Sequence, residues 1–599
     1  MNERLKRHEV DVNMTWDLKA LFESKEEFLS SLERAKVNVE EIKNYKGRLT
    51  ENASVLFEAV ESLEKFVIQL DALGTYAGLG QAVDGTNTES QELSMTFGAA
   101  ATAIQAELTF FENEIMSLTE KQYTEFFKDE PKLEVYRPYI EDLYEQKKYK
   151  LSDDTEEALA SLGEVTEAPY TIYSVSKAAD MQFDAFEDGD GNTQPNSFAL
   201  FEGKYEYSED AITRKNAYES FNKTLNLYKN TYAAVYSTEV KKQVMLSKLR
   251  GYESVTDMLL ISQKVTQEMY HRQIDVIYNE LAPHMRKFAN LLKDQLGLEK
   301  VNFYDLKAPL DTSFNPSATY DEAKDAVLNS LEIMGKDYVQ IIEKAFDERW
   351  IDYSDNVGKS TGAFCASPYA AHPYILVTFQ NNMRDAFTLA HELGHAGHFY
   401  LANKEQNYFN TNPSMYNVEA PSTMNEMLLG RYLLQNNDDP KMKKWVILQF
   451  MGTYYHNFVT HLLEAAFQRK VYEFAEKDQP LTAKLLCDTK LEVLKGFWGD
   501  SVEIDENAGM TWMRQPHYYM GLYPYTYSAG LTASTAVSEM IFEEGQPAVD
   551  RWIDMLKTGG KLKPLDLLKV AGMDLTSDEP VQKAVKYVGS LIDQLIELS

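Results

Sequence analysis

Residues 391 to 395 read His391-Glu392-Leu393-Gly394-His395, an H-E-x-x-H set in an apolar helical stretch. On a helix, positions i and i+4 lie one turn apart on nearly the same face, so two imidazoles at this spacing can grip one metal ion. Zinc is the expected ion. The glutamate between them points away from direct ligation but reaches a water held by the metal, for which it can act as general base. Only 10 histidines occur in 599 residues, so chance would produce the motif in about one sequence in a hundred of this composition. Its surroundings therefore matter. Met383 to Ala390 leads in with helix formers and an apolar face, and Ala396 to Leu401 continues it. The competing reading is two ordinary half-buried helix histidines with Glu392 as a surface charge.

A catalytic zinc usually takes three protein ligands and leaves a fourth position open. His398 follows too soon to be the third, and no glycine-spaced histidine stands where the metzincin pattern demands one. The segment Tyr416 to Glu426 reads as the start of a second helix, with Pro421 suited to a first turn and Met424, Met427, Leu428 and Leu429 forming an apolar face. Glu419 and Glu426 are seven apart and share a face. Glu419 is the expected ligand, and Glu426 the expected partner of the far nitrogen of one zinc-bound imidazole. Taken alone, the same two acids could simply be favoured by a helix N-terminus.

Those residues carry a family resemblance. The pair His391-Glu392-Leu393-Gly394-His395 and Glu419-Ala420-Pro421-Ser422, at this separation, resembles the thimet oligopeptidase family of zinc peptidases, and within it the bacterial oligoendopeptidase F branch. The similarity extends in order through Trp16-Asp17-Leu18, Leu249 to Ser254, Tyr304-Asp305-Leu306 with Ala308-Pro309, and Glu348 to Asp352 ahead of Gly358-Lys359. It implies two histidines and a glutamate on zinc, with the motif glutamate as base, in agreement with the spacing. It also implies helical lobes around a deep substrate channel that excludes folded proteins.

Peptide hydrolysis builds negative charge on the former carbonyl oxygen, and donors aimed at that oxygen are a large catalytic term. Five tyrosines crowd the ten residues from Tyr518 to Tyr527, where Gly521 and Pro524 argue for a loop entering a helix near Tyr525. Without a metal motif such a cluster would read as packing aromatics. The resemblance implies a histidine followed by tyrosines here that bind substrate and stabilise the oxyanion. His517 takes the histidine's place; Tyr525 and Tyr527 are the first choices for the phenols, with Tyr519 and Tyr523 as substitutes. Phenols titrate near about 10, so at neutral pH they donate without a proton-transfer step.

Just before the motif, Gly362 to Ser367 and Pro373 to Phe379 are β-prone runs joined by 368–372. A short sheet with one open edge could bind an extended peptide by strand addition, with Gly362 and Ala363 at that edge; a plain structural hairpin is the alternative.

Most other segments read as amphipathic helix, among them Leu56 to Leu73, Asp210 to Lys248, Thr266 to Leu296 and Trp445 to Lys477. The expected fold is mainly α: a large two-lobed helical zincin-like peptidase with a small β-sheet beside the zinc helix. The polar stretch Asp184 to Asn196, more a β-turn than a calcium loop because it lacks the terminal glutamate, suggests a division into a helical region 1–196 and a catalytic region 197–599. With 93 acidic against 60 basic residues the net charge is −33, which repels nucleic acids and anionic membranes. Two cysteines make no disulfide framework, the stretch Met1 to His8 lacks the apolar core of a signal peptide and no run approaches membrane-spanning length, so a reducing cytoplasm is expected.

The reading is a cytoplasmic endopeptidase with one zinc per chain that cleaves short oligopeptides, binding neither nucleic acid nor membrane. A zinc carboxypeptidase on a related scaffold and a non-catalytic peptide-binding protein are the alternatives.

Overall fold

The computed structural model describes residues 4–599. It is mainly helical, and its chain sorts into two compact units, each built from three stretches. The first takes the chain to Lys148, then Pro316–Gln435 and Val537–Met573; the second takes Tyr149–Asn315, Asn436–Ala536 and Asp574–Ser599.

In the first unit, helices Lys25–Lys43, Ala53–Val83 and Thr88–Ser117 pack together, each opened by a side-chain cap from Ser24, Asn52 or Asn87. Leu56, Ala59, Val60 and Leu63 recur at three and four, and all are buried. They join Phe28, Leu32, Phe111 and Ile115 in one apolar core.

The small sheet belongs to this unit. Tyr374–Leu376 is its middle strand, antiparallel to Phe364–Ala366 and parallel to Ile351–Asp352. Both expected β-runs form strands, shorter than their sequence signals, and Phe364–Ala366 is left with an unpaired edge. Trp16, Leu79 and Val83 cover Tyr374 and Leu376. The sheet is also pinned by charge. Lys359 is buried, and its Nζ donates to Asp352 Oδ1 at 2.8 Å, Ser354 O at 2.8 Å and Val377 O at 2.6 Å. Asp352 is fully buried and also accepts from Arg7.

The second unit is built on long helices: Ala211–Arg250, Gln267–Gln295, Ala483–Trp498 and the C-terminal Glu579–Glu597, which lies along Gln267–Gln295. Gly251, left-handed at φ 77°, ends the first of these, as a residue without Cβ can. The helix expected over Trp445 to Lys477 is interrupted. Pro440–Tyr454 passes through a π-helical turn, Tyr455–Thr460, into His461–Glu476. At Asp184 to Asn196 the chain forms a hairpin, Phe186–Glu187 against Thr193–Gln194; Asp188 turns its carboxylate onto the amides of Asp190 and Asn192, as a β-turn residue does.

Removing one partner of a buried ion pair costs about 3–5 kcal/mol because the other charge stays behind. Lys359→Met should therefore lower the urea denaturation midpoint substantially, with stability falling by about 3 kcal/mol. A midpoint equal to that of the parent protein would show that the Lys359 bonds do not hold the sheet.

Candidate active site

The H-E-x-x-H lies in the middle of helix Met383–Glu405, which is capped by Asn382 accepting from the Asp385 amide at 3.0 Å. Ala386, Leu389, Ala390, Leu393 and Ala396 bury one face and fix the helix rotation. The two imidazoles then stand side by side, with ring centroids 5.1 Å apart. The chain returns at Glu419, in the turn that opens helix Ala420–Asn436. Its Oε2 lies 3.3 Å from Nε2 of His391 and 3.3 Å from Nε2 of His395. Ser422 Oγ donates to the same carboxylate oxygen at 3.0 Å and orients it.

Those separations test whether a metal fits. Ligand atoms about 2.0–2.1 Å from a tetrahedral zinc stand about 3.3 Å from one another. The nitrogen-to-oxygen distances match that geometry, and the His2Glu donor set is one that catalytic zinc takes. Burial alone would raise the Glu419 carboxyl, but the two imidazoles outweigh it and hold the group well below the usual range, ready to ligate as an anion. Glu426 Oε1 accepts from His391 Nδ1 at 2.6 Å, which leaves Nε2 facing Glu419.

What brings Glu419 within reach is the glycine of the motif. A Cβ on Gly394 would stand 2.3 Å from Pro421 O and 2.6 Å from Ser422 Cα. The two helix backbones touch there, which only a residue without a side chain permits. Gly397, one turn on, makes room for the Tyr338 phenol, which donates to Asn425 on the second helix.

Glu392 is 5% exposed, and its Oε2 is buried without a hydrogen-bond partner. Desolvation raises its carboxyl above the ordinary range, giving a stronger base than a solvated glutamate. His398 is no ligand; it is buried with both ring nitrogens unpartnered, and burial pushes it down to about 3, so it is a neutral packing residue. Beside the motif helix runs the edge strand Phe364–Ala366, with Gly362 and Ala363 leading into it. Desolvation and the neighbouring Glu392 charge hold the Cys365 thiol protonated.

The tyrosine segment forms a cluster within the second unit. His517 sits in the short 3-10 turn Pro516–Tyr519, and helix Thr526–Glu544 starts one residue after Tyr525. The Tyr527 hydroxyl is 3.2 Å from His517 Nε2, and the Tyr523 ring lies 5.4 Å from the imidazole and 5.3 Å from Tyr527. Tyr519 packs on Tyr173 and Tyr236. Tyr525 differs: it is fully buried, and its hydroxyl donates to Gln263 Oε1 at 2.5 Å. The cluster also contains His456, His461 and Glu464, which the sequence reading passed over within an apparently uniform helix. Their H-x4-H-x2-E spacing, in a chain so poor in histidine, was the available signal.

Comparison with known proteins identifies the family. Residues 204–587 match the family model described as Peptidase family M3, and residues 114–183 the one described as Oligopeptidase F. The chain is 34% identical to oligopeptidase PepF of Bacillus subtilis over 597 residues, covering 100% of this chain and 89% of that one. It is 29% identical to an oligoendopeptidase F homolog of Borreliella burgdorferi, covering 99% of both. The crystal structure of oligoendopeptidase F from Enterococcus faecium matches with a TM-score of 0.73 at 26% identity, over 96% of this chain and 99% of that one. The chain belongs to peptidase family M3, in its oligopeptidase F group. It is a metallo-endopeptidase, and neither the carboxypeptidase nor the non-catalytic alternative is favoured.

Gly394→Ala should push the two helices apart, reduce bound metal below one ion per chain and cut peptidase activity more than tenfold. Gly78→Ala, on an exposed helical position with open space around it, is the control and should leave both unchanged. Full metal content in Gly394→Ala would refute the close-approach argument.

Proposed function

We propose that this enzyme hydrolyses internal bonds of short peptides with one zinc ion held by His391, His395 and Glu419. The observation that carries the reading is the pair of 3.3 Å separations from Glu419 Oε2 to the two Nε2 atoms. When bound, zinc supplies a Lewis acid that acidifies water and polarises the scissile carbonyl. Glu392 takes a proton from the attacking water and returns it to the leaving amine; a buried, unpaired Oε2 with a raised pKa suits both tasks. Glu426 fixes the His391 tautomer.

Substrate backbone adds to the free edge of Phe364–Ala366, with Gly362 and Ala363 at the start of that edge. His517 and Tyr527 donate to the oxyanion, while Tyr519 and Tyr523 bind substrate. Tyr525 supports this set from the interior, since its hydroxyl is committed to Gln263. The catalytic region is 197–599, which contains the whole span matched by the M3 family model, and 1–196 is a helical accessory region. Two unbridged cysteines and a net charge of −33 suit a reducing cytoplasm and peptide substrates in place of nucleic acid or membrane. Among the described residues no helix is long and apolar enough to cross a membrane.

Glu392→Gln should keep its metal and its affinity for peptides while kcat falls by about 10²–10⁴-fold. Turnover at the parent rate would remove Glu392 as the base. An internally quenched peptide blocked at both ends should be cleaved as readily as its free-ended form, and cleavage of the free-ended form alone would mean an exopeptidase.

A further inference from the structure

His461, Glu464 and His517 in the second unit offer a second set of metal-ligand types, with one nitrogen or oxygen of each within 4.8 Å of the others. The distances argue for a proton instead of a metal. His461 Nδ1 stands 2.7 Å from Glu464 Oε2, a hydrogen-bond length, whereas ligand atoms on a tetrahedral ion stand about 3.3 Å apart, as at Glu419. Glu464 is 4% exposed, and an ionised carboxylate only accepts, so His461 Nδ1 is the donor. Burial alone would raise the Glu464 carboxyl, but His461, Lys490 and His517 face it and hold it below the usual range.

The local backbone has been altered to make this arrangement. Residues five apart on an α-helix diverge by about 140°, but the π-helical turn Tyr455–Thr460 brings His456 beside His461, with ring centroids 4.4 Å apart and Nε2 atoms 3.1 Å apart. His456 is exposed and His461 buried, so the chain Glu464, His461, His456 runs from interior to solvent. The His461 ring is thereby held at both nitrogens. Tyr527 stacks on it, at 3.9 Å between centroids and 12° between planes. Tyr527 in turn meets His517 Nε2, and His517 Nδ1 is buried without a partner.

We propose that Glu464 and His461 form a carboxylate–imidazole dyad that sets the plane of the Tyr527 phenol and, through its hydroxyl, the position of His517. Both are positioning residues for peptide hydrolysis. The inference rests on the oxyanion role proposed above for Tyr527 and His517.

The test uses full-length zinc-loaded enzyme and a blocked, internally quenched peptide, with kcat and KM measured for Glu464→Gln, Tyr527→Phe and the double variant. Loss of one oxyanion donor costs about 10²-fold in kcat, which is the expectation for Tyr527→Phe. Glu464→Gln should lower kcat about tenfold, with KM within about twofold and one metal ion retained per chain. Because both act through the same hydroxyl, the double variant should fall no more than about twofold below Tyr527→Phe. If Glu464→Gln does not fold, His461→Gln carries the same test, since its amide still donates to Glu464 but offers no ring to Tyr527.

Parent-like kcat in the dyad variant, or losses that multiply in the double variant, would overturn the dyad while leaving the oxyanion reading intact. Parent-like kcat in Tyr527→Phe would overturn both. A second zinc ion that binds the parent enzyme but not Glu464→Gln would also overturn the dyad, by making the cluster a metal site.

Discussion

The backbone contact between Gly394 and Pro421 is the constraint on which the proposed metal centre depends. Two histidines on one helix can bind an ion weakly by themselves, but a third ligand must come from another element and stop within a few tenths of an ångström of its place. Helices normally pack 8–10 Å apart because side chains separate them. Here a Cβ would fall 2.3 Å from a carbonyl oxygen, so the first turn of the second helix rests directly on the bare backbone of the first. That closeness lets a short carboxylate just ahead of the second helix reach both Nε2 atoms, and puts Glu426, two turns on, against the far side of His391. One glycine therefore sets the positions of both carboxylates around the His391 ring.

The unit bearing this centre retains polar groups that a purely structural core would not keep. Glu392 Oε2 and His395 Nδ1 are buried without partners, and an unsatisfied buried group costs about 1–3 kcal/mol. The expense is offset locally by fully bonded charges such as Lys359 with Asp352 and by the apolar faces around Leu393 and Ala396. The proposed role of Glu392 uses the unpaired state: a Glu392 already bonded to a protein donor would be a weaker base and less available to water.

Much of this was legible in the sequence because it depends on short-range periodicity. The motif helix and the start of the next helix follow from spacings of three and four, and both helices form; the choice of Glu419 and Glu426 rests on a spacing of seven. Strands Phe364–Ala366 and Tyr374–Leu376 were legible for a different reason, as short runs of β-prone residues. Ile351–Asp352 was not, since two residues carry no pattern and the strand exists only through pairing with Tyr374–Leu376. The different surroundings of Tyr525 and Tyr527 were likewise hidden. They are two residues apart with the same side chain, and only tertiary contacts direct one hydroxyl to Gln263 and the other to His517. His456 and His461 escaped because a helical period of 3.6 places them on different faces, and the π-helical turn that reunites them leaves little trace in composition.

The two histidine and glutamate sets show how little residue type alone decides. His391, His395 and Glu419 use the same side chains as His461, Glu464 and His517, with one residue of the first group and two of the second buried. At 3.3 Å an imidazole nitrogen and a carboxylate oxygen are too far apart for a strong charge-assisted hydrogen bond and correctly spaced for a shared tetrahedral ion; at 2.7 Å the proton occupies the gap. The difference of 0.6 Å arises from the backbone. Glu464 is three residues from His461 on one continuous helix and can fold against it, whereas Glu419 approaches from a separate helix whose position is limited by the Gly394 contact. Side chains that look alike in sequence thus divide into the proposed metal centre and the proposed positioning dyad according to which element supplies the carboxylate.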